Sequence, residues 1–350
     1  MLDVFRYQFD HVPPYREYCI GRGAGPHNVR TVAEIPAVST IAFKYARMES
    51  REQPQSQPAL TFLTSGTTIG KNERARHLVV RPEIYRTSAL NHLRRMLFPD
   101  GRRLAMLALH PTADRMPESS LSQMMTWCIE EFGTGEVACT ATPRGVQADD
   151  AIGFLRNRAA AGEPVCILGT TASIALLFTS MRSNRIEIAL PAGSRIMDTG
   201  GAKGQAVPLS LDEVVAEASR MLGVEPSLVI NEYGMTEMCS QLYDATAFNS
   251  PHDPPAGRRM KLAPPWLRPA TLDPVTLAPV EEGRAGILSF FDLANVGSVS
   301  ALMTEDFGVV RGGAVGIIGR AAAADPRGCA LAIEAFAIRG PAADSRPILR

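Results

Sequence analysis

The sequence predicts an α/β fold with a largely parallel sheet, followed by a smaller β-rich part. Between residues 60 and 234, short apolar runs alternate with amphipathic runs. Strands that alternate with helices in this way usually form a parallel sheet flanked by helices. From about residue 250 the chain becomes Pro-rich and then carries short strand-like runs. We therefore expect an α/β core over 1–250, a β-rich subdomain over 251–338 and a tail over 339–350.

The individual elements follow from hydrophobic spacing and from helix boundary signals. Helices are predicted over 82–97, 119–133, 149–161 and 210–222. The last of these carries the capping-box pattern at Ser210 and Glu213. Strands are predicted over 103–110, 135–142, 164–169, 227–234, 285–293, 300–310 and 314–319. The polar, Pro-containing stretch 49–58 predicts a surface linker after an N-terminal helical segment.

Composition and charge exclude several classes of protein. Apolar residues make up 45% of the 350 residues and charged residues 21%, which is typical of a globular chain. Lys plus Arg equals Asp plus Glu at 36 each, so no global basic field favours nucleic acid or an anionic membrane. The N-terminus does not resemble a signal peptide, and no apolar run is long enough to span a bilayer. The six cysteines contain no C-x-x-C pair, so we expect a cytoplasmic protein with reduced thiols and no structural zinc.

The first segment with chemical character is TFLTSGTTIGKNERARH at 61–77. An apolar strand there runs into small, hydroxylated and glycine residues and then a lysine: Thr64, Ser65, Gly66, Thr67, Thr68, Gly70 and Lys71. Glycine lets backbone N–H groups approach an anion closely, hydroxyl groups donate to phosphate oxygens, and lysine adds positive charge. The segment therefore predicts a phosphate-binding loop. The Walker pattern G-x-x-x-x-G-K-[ST] is absent, and the composition alone also fits an exposed turn.

Two further predicted strands end in segments of interest. In NEYGMTEMCSQLYD at 231–244, the ring of Tyr233 can stack on a planar base. Glu237 in the same segment offers carboxylate oxygens, the ligands that Mg²⁺ prefers. In MDTGGAKG at 197–204, a strand opens into a Gly-rich loop that contains Gly200, Gly201 and Ala202. Each segment, taken singly, also fits an ordinary turn after a strand.

Together the three segments resemble the adenylate-forming superfamily of acyl-CoA synthetases, adenylation domains and luciferases. TSGTT with Gly70 and Lys71 is similar to the phosphate loop of that superfamily, and DTGGAKG is similar to its adenine-flanking segment. Its Y-G-x-T-E motif is matched by Tyr233, Gly234, Thr236 and Glu237. The resemblance implies that Asp306 holds the ribose hydroxyls and that Arg320 belongs to the Gly-Arg pair that follows. It also implies the large N-terminal-type domain of these enzymes, ATP and Mg²⁺ as cofactors, and a carboxylic acid substrate.

Within that superfamily the chain most resembles the acyl-protein synthetase (LuxE-like) branch. The segments that carry this resemblance are NEYGMTEMCSQLYD, DLANVGSVSALMTEDFG and GRAAAADPRGCALAIE. The resemblance implies that the acyl group passes from AMP to a thiol, with Cys329 as the candidate, and then to a partner protein such as a reductase. One alternative is transfer to a free acceptor: coenzyme A, a carrier-protein thiol or an amine. Another is a catalytically degenerate nucleotide-binding or scaffold protein.

The sequence departs from the superfamily in two places. Ile69 stands where the phosphate loop usually has Gly. No full C-terminal, Lys-bearing domain is expected, because only 30 residues follow Arg320. A catalytic cation from the protein is therefore expected to be Lys71, Lys203 or an arginine. The sequence leaves fatty, aryl and amino acids open as substrates.

Overall fold

A computed structural model describes residues 1–52, 58–64, 74–142, 145–200, 209–247 and 259–320. Outside the described residues lie parts of two of the three predicted segments, 61–77 and 197–204, and the candidate thiol: Ser65, Gly66, Thr67, Thr68, Gly70, Lys71, Gly201, Ala202, Lys203 and Cys329. The helices are α1 (Leu2–His11), α2 (Pro13–Gly21), α3 (Pro82–Met96), α4 (Ser120–Phe132), α5 (Ala148–Ala160), α6 (Thr171–Ser183) and α7 (Leu211–Leu222). None of these helices is long and apolar enough to cross a membrane.

The strands of the main sheet are β1 (Val38–Ser39), β4 (Leu104–Ala108), β5 (Gly133–Cys139), β8 (Val165–Thr170), β9 (Arg195–Thr199), β10 (Val229–Tyr233), β11 (Leu242–Asp244), β12 (Lys261–Leu262), β13 (Leu267–Leu272), β14 (Gly286–Asp292), β15 (Ala301–Arg311) and β16 (Ala314–Arg320). Two small hairpins complete the described strands. They consist of β2 (Leu60–Leu63) with β3 (Arg76–Val79), and of β6 (Ala141–Thr142) with β7 (Gly145–Val146).

The main sheet has a parallel half and an antiparallel half. Its order is β13-β14-β15-β16-β12-β11-β10-β9-β8-β4-β5, and β1 also pairs with β15. Neighbouring strands from β5 to β10 are parallel, whereas those from β10 to β13 are antiparallel. The predicted α/β class is thus confirmed. Strands from both sides of residue 250 share one sheet. The predicted division into two domains near that residue stays a prediction.

Alternate residues of the parallel strands fill two separate cores on opposite faces of the sheet. In β8, Cys166 packs with α3 and α4, whereas the next residue, Ile167, packs with α5, α6 and α7. In β10, Ile230 packs in the same core as Cys166, and Val229 packs in the same core as Ile167. Because side chains alternate along a strand, near-continuous apolar runs are what a sheet covered on both faces requires.

Helix boundaries follow local signals. The Ser210 hydroxyl accepts a hydrogen bond from the Glu213 amide, and the Glu213 carboxylate accepts one from the Ser210 amide at 2.7 Å. The helix ends at Gly223, whose φ of 65° is left-handed. The prediction of a surface linker from residue 49 is wrong at its start. Ser50 is buried, and its amide donates to the Gly297 carbonyl at 2.9 Å.

Candidate active site

A cavity of about 1010 Å³ opens where the parallel strands β8, β9 and β10 end. Carboxyl ends of parallel strands meet at one edge of a sheet, where α/β proteins commonly bind ligands. Residues 304–306 within the antiparallel strand β15 and residues 317–320 at the end of β16 also line the cavity. The cavity is lined by all the predicted site residues that the structure describes: Thr64, Gly200, Tyr233, Gly234, Thr236, Glu237, Asp306 and Arg320.

The two ends of the predicted phosphate loop are joined beside this cavity. The Thr64 amide donates to the Ala75 carbonyl at 2.9 Å, and the Ala75 amide donates to the Thr64 hydroxyl at the same distance. Arg74 Nε also donates to the Thr64 carbonyl at 2.7 Å. The loop therefore leaves the hairpin of β2 and β3 and returns to it at the cavity wall.

Tyr233 and Asp306 line the cavity and are hydrogen-bonded to each other. The Tyr233 hydroxyl donates to Asp306 Oδ2 at 2.7 Å. Burial and the neighbouring Asp306 carboxylate raise the pKa of Tyr233 well above its usual value, so the hydroxyl keeps its proton. Asp306 pairs with Arg320 in the ladder between β15 and β16. This pairing places the two residues that were predicted from the same resemblance side by side.

His77 fixes the backbone of the Y-G-x-T-E segment. Its Nδ1 lies 2.7 Å from the Thr236 carbonyl and its Nε2 lies 3.0 Å from Asn295 Oδ1. A carbonyl only accepts hydrogen bonds, so Nδ1 carries a proton. Asn295 Nδ2 in turn donates to the Glu237 carbonyl at 2.8 Å. Burial lowers the pKa of His77.

His77 is only 1% exposed and its ring nitrogens face Thr236 and Asn295, so it is neither a solvated loop residue nor free to bind a phosphate. Asn295 had no assigned role in the sequence. It lies far from both partners along the chain, so no local pattern identified it.

A buried polar network borders the cavity. Lys261 Nζ contacts Asp244 Oδ1 at 2.8 Å, Asn231 Oδ1 at 2.6 Å and the Asn231 carbonyl at 3.0 Å. Asn231 Nδ2 donates to Asp198 Oδ2 at 2.7 Å, and Thr171 donates to Asp198 Oδ1 at 2.7 Å. The network thus joins β9, β10 and β12 to the start of α6.

Burial and the neighbouring polar groups act in opposite directions on the pKa of Asp198. Burial raises the pKa of Asp198 to about 6, although hydrogen bonds from Thr171 and Asn231 and the charge of Lys261 act in the other direction. Lys261 directs all three of its N–H groups to protein oxygens. It lines the cavity as a structural cation, and Lys44 is a second lysine on the wall that the sequence did not single out.

Glu232 and Gln241 add polar groups to the cavity that the sequence analysis did not assign. Glu232 precedes Tyr233 on β10 and so points to the opposite face of the sheet. Its carboxylate accepts a short hydrogen bond from the Thr199 hydroxyl. Burial raises the pKa of Glu232 to about 7. Gln241 is 5% exposed and lies just before β11.

The described residues contain no group of three or more His, Cys, Asp or Glu side chains that could together hold a metal ion. Mg²⁺ in nucleotide sites is commonly bound through one or two carboxylates together with phosphate oxygens. The single carboxylate of Glu237 on the cavity wall fits that pattern. The residues present therefore suit a metal that arrives with a nucleotide.

The cysteines within the described ranges lie mostly in the core. Cys19, Cys128, Cys166 and Cys239 are buried, and Cys139 is partly exposed. Burial raises the pKa of both Cys19 and Cys166 to about 12, which keeps these thiols protonated and unreactive. Cys139 lies next to the His110 carbonyl and does not line the cavity.

Comparisons with known proteins agree with the geometry. A family described as "Acyl-protein synthetase, LuxE" matches residues 1–337. The long-chain-fatty-acid–luciferin-component ligase of Aliivibrio fischeri is 25% identical over 342 residues, covering 95% of this chain and 86% of that protein. The protein of the same name from Vibrio harveyi is 23% identical over 339 residues, covering 94% and 85%.

Among solved structures, an open conformation of 2-hydroxyisobutyryl-CoA ligase in complex with 2-HIB-AMP and CoA is similar to this chain. The TM-score is 0.66 at 16% identity, with 91% of this chain and 68% of that chain covered. At that identity the likeness concerns the fold. It confirms the prediction that the chain folds like the adenylate-forming enzymes.

Proposed function

The chain belongs to the acyl-protein synthetase (LuxE) family, and on that premise we propose how its cavity performs the reaction. The predicted chemistry is that of an ATP-dependent ligase, which converts a carboxylic acid to an acyl-adenylate and transfers the acyl group to a thiol acceptor. Family membership over residues 1–337 and the curated ligase relatives confirm that prediction. The names of those relatives refer to long-chain fatty acids.

The observation that carries the assignment of residues is the convergence of distant segments on one cavity. In this proposal Tyr233 and the Gly-rich loop of Gly200, Gly201 and Ala202 would hold the adenine of ATP, and Asp306 would hold its ribose hydroxyls. The ATP phosphates would be held by Thr64 and the loop residues Ser65, Gly66, Thr67, Thr68, Gly70 and Lys71. Gly234, Thr236 and Arg320 complete the wall around the nucleotide. The cavity position of the described members of this set supports the proposal.

Glu237 is the metal ligand in this proposal, and the ion supplies positive charge to the phosphate oxygens. Lys71 is the candidate protein cation for the same charge. A carboxylate oxygen of the acid attacks the α-phosphorus in line. The new O–P bond forms as the bond between the α-phosphorus and the bridging oxygen breaks, and pyrophosphate leaves with that electron pair. Such chemistry depends on positioning and charge neutralisation.

The acyl-adenylate then reacts with a thiolate, which attacks the acyl carbon while AMP leaves. Thiolates attack acyl groups readily near neutral pH. We assign the acceptor to Cys329, followed by transfer to a partner protein such as a reductase. Membership of an acyl-protein synthetase family favours this acceptor over coenzyme A, a carrier-protein thiol or an amine. The raised pKa values of Cys19 and Cys166 argue against these two buried thiols as the acceptor.

Carboxylate-dependent exchange of labelled pyrophosphate into ATP tests the activation step. Stable labelling of the protein by a radioactive acid in the presence of ATP tests the transfer step. Activation without labelling of the protein would favour a free acceptor. No activation with any acid would favour a chain that keeps the fold as a nucleotide-binding or scaffold protein.

A further inference from the structure

One part of the cavity carries two buried oxygen acceptors close together. Glu232 and Gln241 are each 5% exposed, and both line the cavity. A Cβ added to Gly234 would lie 2.6 Å from Glu232 Oε1 and 3.4 Å from Gln241 Cγ, so both side chains lie against the same glycine. The two side chains therefore border one small region of the cavity.

Gln241 presents an oxygen that has no partner. Its Oε1 atom is buried and accepts no hydrogen bond from any described residue. The Tyr85 hydroxyl, which also lines the cavity, donates its proton to the Ser120 carbonyl at 3.3 Å and is therefore not a donor to Gln241 Oε1. Leaving a buried acceptor unsatisfied costs about 1–3 kcal/mol.

Glu232 also has one oxygen that accepts no hydrogen bond from the described residues. Oε2 accepts from the Thr199 hydroxyl, whereas no described residue donates a hydrogen bond to Oε1. Lys261 is the cation that acts most on this carboxylate, but its N–H groups point to Asn231 and Asp244. Within the described residues, no side chain supplies a donor to either Glu232 Oε1 or Gln241 Oε1.

We propose that the acid activated by this chain carries a hydrogen-bond donor, a hydroxyl or an ammonium group, that binds between Glu232 and Gln241. The inference rests on the proposed function, because it assigns the acid to the same cavity. Leu121, Met124 and Tyr85 line the cavity as well and provide an apolar wall for the carbon skeleton. The names of the curated relatives refer to long-chain fatty acids, which bear no such donor, so the proposal distinguishes this chain from them.

A site of this kind discriminates strongly. An extra methylene in an apolar pocket changes specificity by about 10- to 200-fold. A site that hydrogen-bonds a donor of the substrate rejects the analogue without that donor by about 10⁴- to 10⁵-fold. We therefore expect at least a hundredfold difference in kcat/KM between an acid with the donor and the same acid without it.

The test is pyrophosphate exchange by the full-length protein with matched acids. Straight-chain acids of four, eight and twelve carbons are compared with partners that carry a hydroxyl or an ammonium at the second, third or terminal carbon. Equal exchange with the unsubstituted acids and their partners would overturn this inference and leave the activation step standing. No exchange with any acid would overturn the proposed function and this inference with it.

Two variants identify the donor and its partners. Gln241→Leu is close in size and has no acceptor, so it is expected to reduce the preference for the donor-bearing acid at least tenfold. Glu232→Gln removes the negative charge, so it is expected to impair an ammonium-bearing acid much more than a hydroxyl-bearing one. A preference that is unchanged in both variants would contradict the assignment. The comparison of acids with the wild-type protein decides the matter even if a variant fails to fold.

Discussion

The hydroxyl of Tyr233 donates a 2.7 Å hydrogen bond to Oδ2 of Asp306, and this contact joins the parallel and antiparallel halves of the sheet inside the cavity. Tyr233 ends a parallel strand, and Asp306 lies within β15. The bond therefore fixes the distance between the residue proposed for the adenine and the residue proposed for the ribose. Both residues act on one nucleotide in this account.

Substitutions at this pair are expected to change ATP binding in a graded way. Tyr233→Phe keeps the ring and removes one hydrogen bond, worth about 0.5–1.5 kcal/mol, so we expect KM for ATP to rise about two- to tenfold. Tyr233→Ala also removes base stacking, worth about 1–3 kcal/mol, and is expected to raise KM further. Steady-state kinetics at saturating acid provide the measurement. Equal KM values for wild type and Tyr233→Ala would contradict the adenine assignment.

His77 is expected to act by positioning the backbone of Thr236 and Glu237. His77→Leu leaves the buried Thr236 carbonyl without its donor, which we expect to cost about 1–3 kcal/mol of unfolding free energy. His77→Asn keeps a donor near the position of Nδ1, so it should recover part of both stability and exchange activity. Urea denaturation and the KM for ATP at limiting Mg²⁺ are the measurements. Full activity in His77→Leu would show that the segment needs no such support.

Asp198 is expected to make stability depend on pH in a defined direction. Its folded-state pKa of about 6 lies above the unfolded value of about 3.9, so the folded state binds the proton more tightly. The stabilisation is complete below about pH 4 and is lost as pH rises through about 6. Replacing Asp198 with Asn removes this dependence.

The unfolding free energy of wild type, relative to that of Asp198→Asn, should therefore fall as pH rises from about 4 to about 7. Urea titrations of both proteins across this interval measure that difference, and groups common to both proteins cancel. A difference that stays constant with pH would show that the folded-state pKa is not raised.

Cys329 is expected to be the site of covalent acylation. Cys329→Ser should abolish stable labelling by radioactive acid and ATP, while pyrophosphate exchange continues at close to the wild-type rate, because activation precedes transfer. Cys139→Ser is the matched control, since Cys139 is partly exposed and lies outside the cavity lining. Persistent labelling of Cys329→Ser together with loss in Cys139→Ser would move the acceptor to Cys139.

Local sequence signals predicted most of the elements, because each signal lies within a few consecutive residues. The capping box at Ser210 and the apolar runs that became β4, β8 and β10 are examples. Helix α6 was not predicted, although Thr170 and Ser173 form its capping box. Those site residues found by resemblance that the structure describes all line the same cavity.

The supporting residues were not predictable in the same way. Lys261 is 17 residues from Asp244 and 30 from Asn231, and His77 is 159 residues from Thr236. A lysine or histidine in isolation usually indicates a solvated or catalytic group. Only the packing of β3, β10 and β12 shows that these two side chains are buried and hydrogen-bonded.

The central claim is that the cavity activates a carboxylic acid with Glu237 as the carboxylate that binds the metal. Acid-dependent pyrophosphate exchange by wild type and Glu237→Gln, with thermal unfolding to verify folding of the variant, tests it most directly. Exchange with at least one acid that falls at least a hundredfold in Glu237→Gln, about 2.7 kcal/mol in the activation barrier, is the expected result. Exchange at the wild-type rate in a folded Glu237→Gln protein, or none with any acid in wild type, would contradict the account.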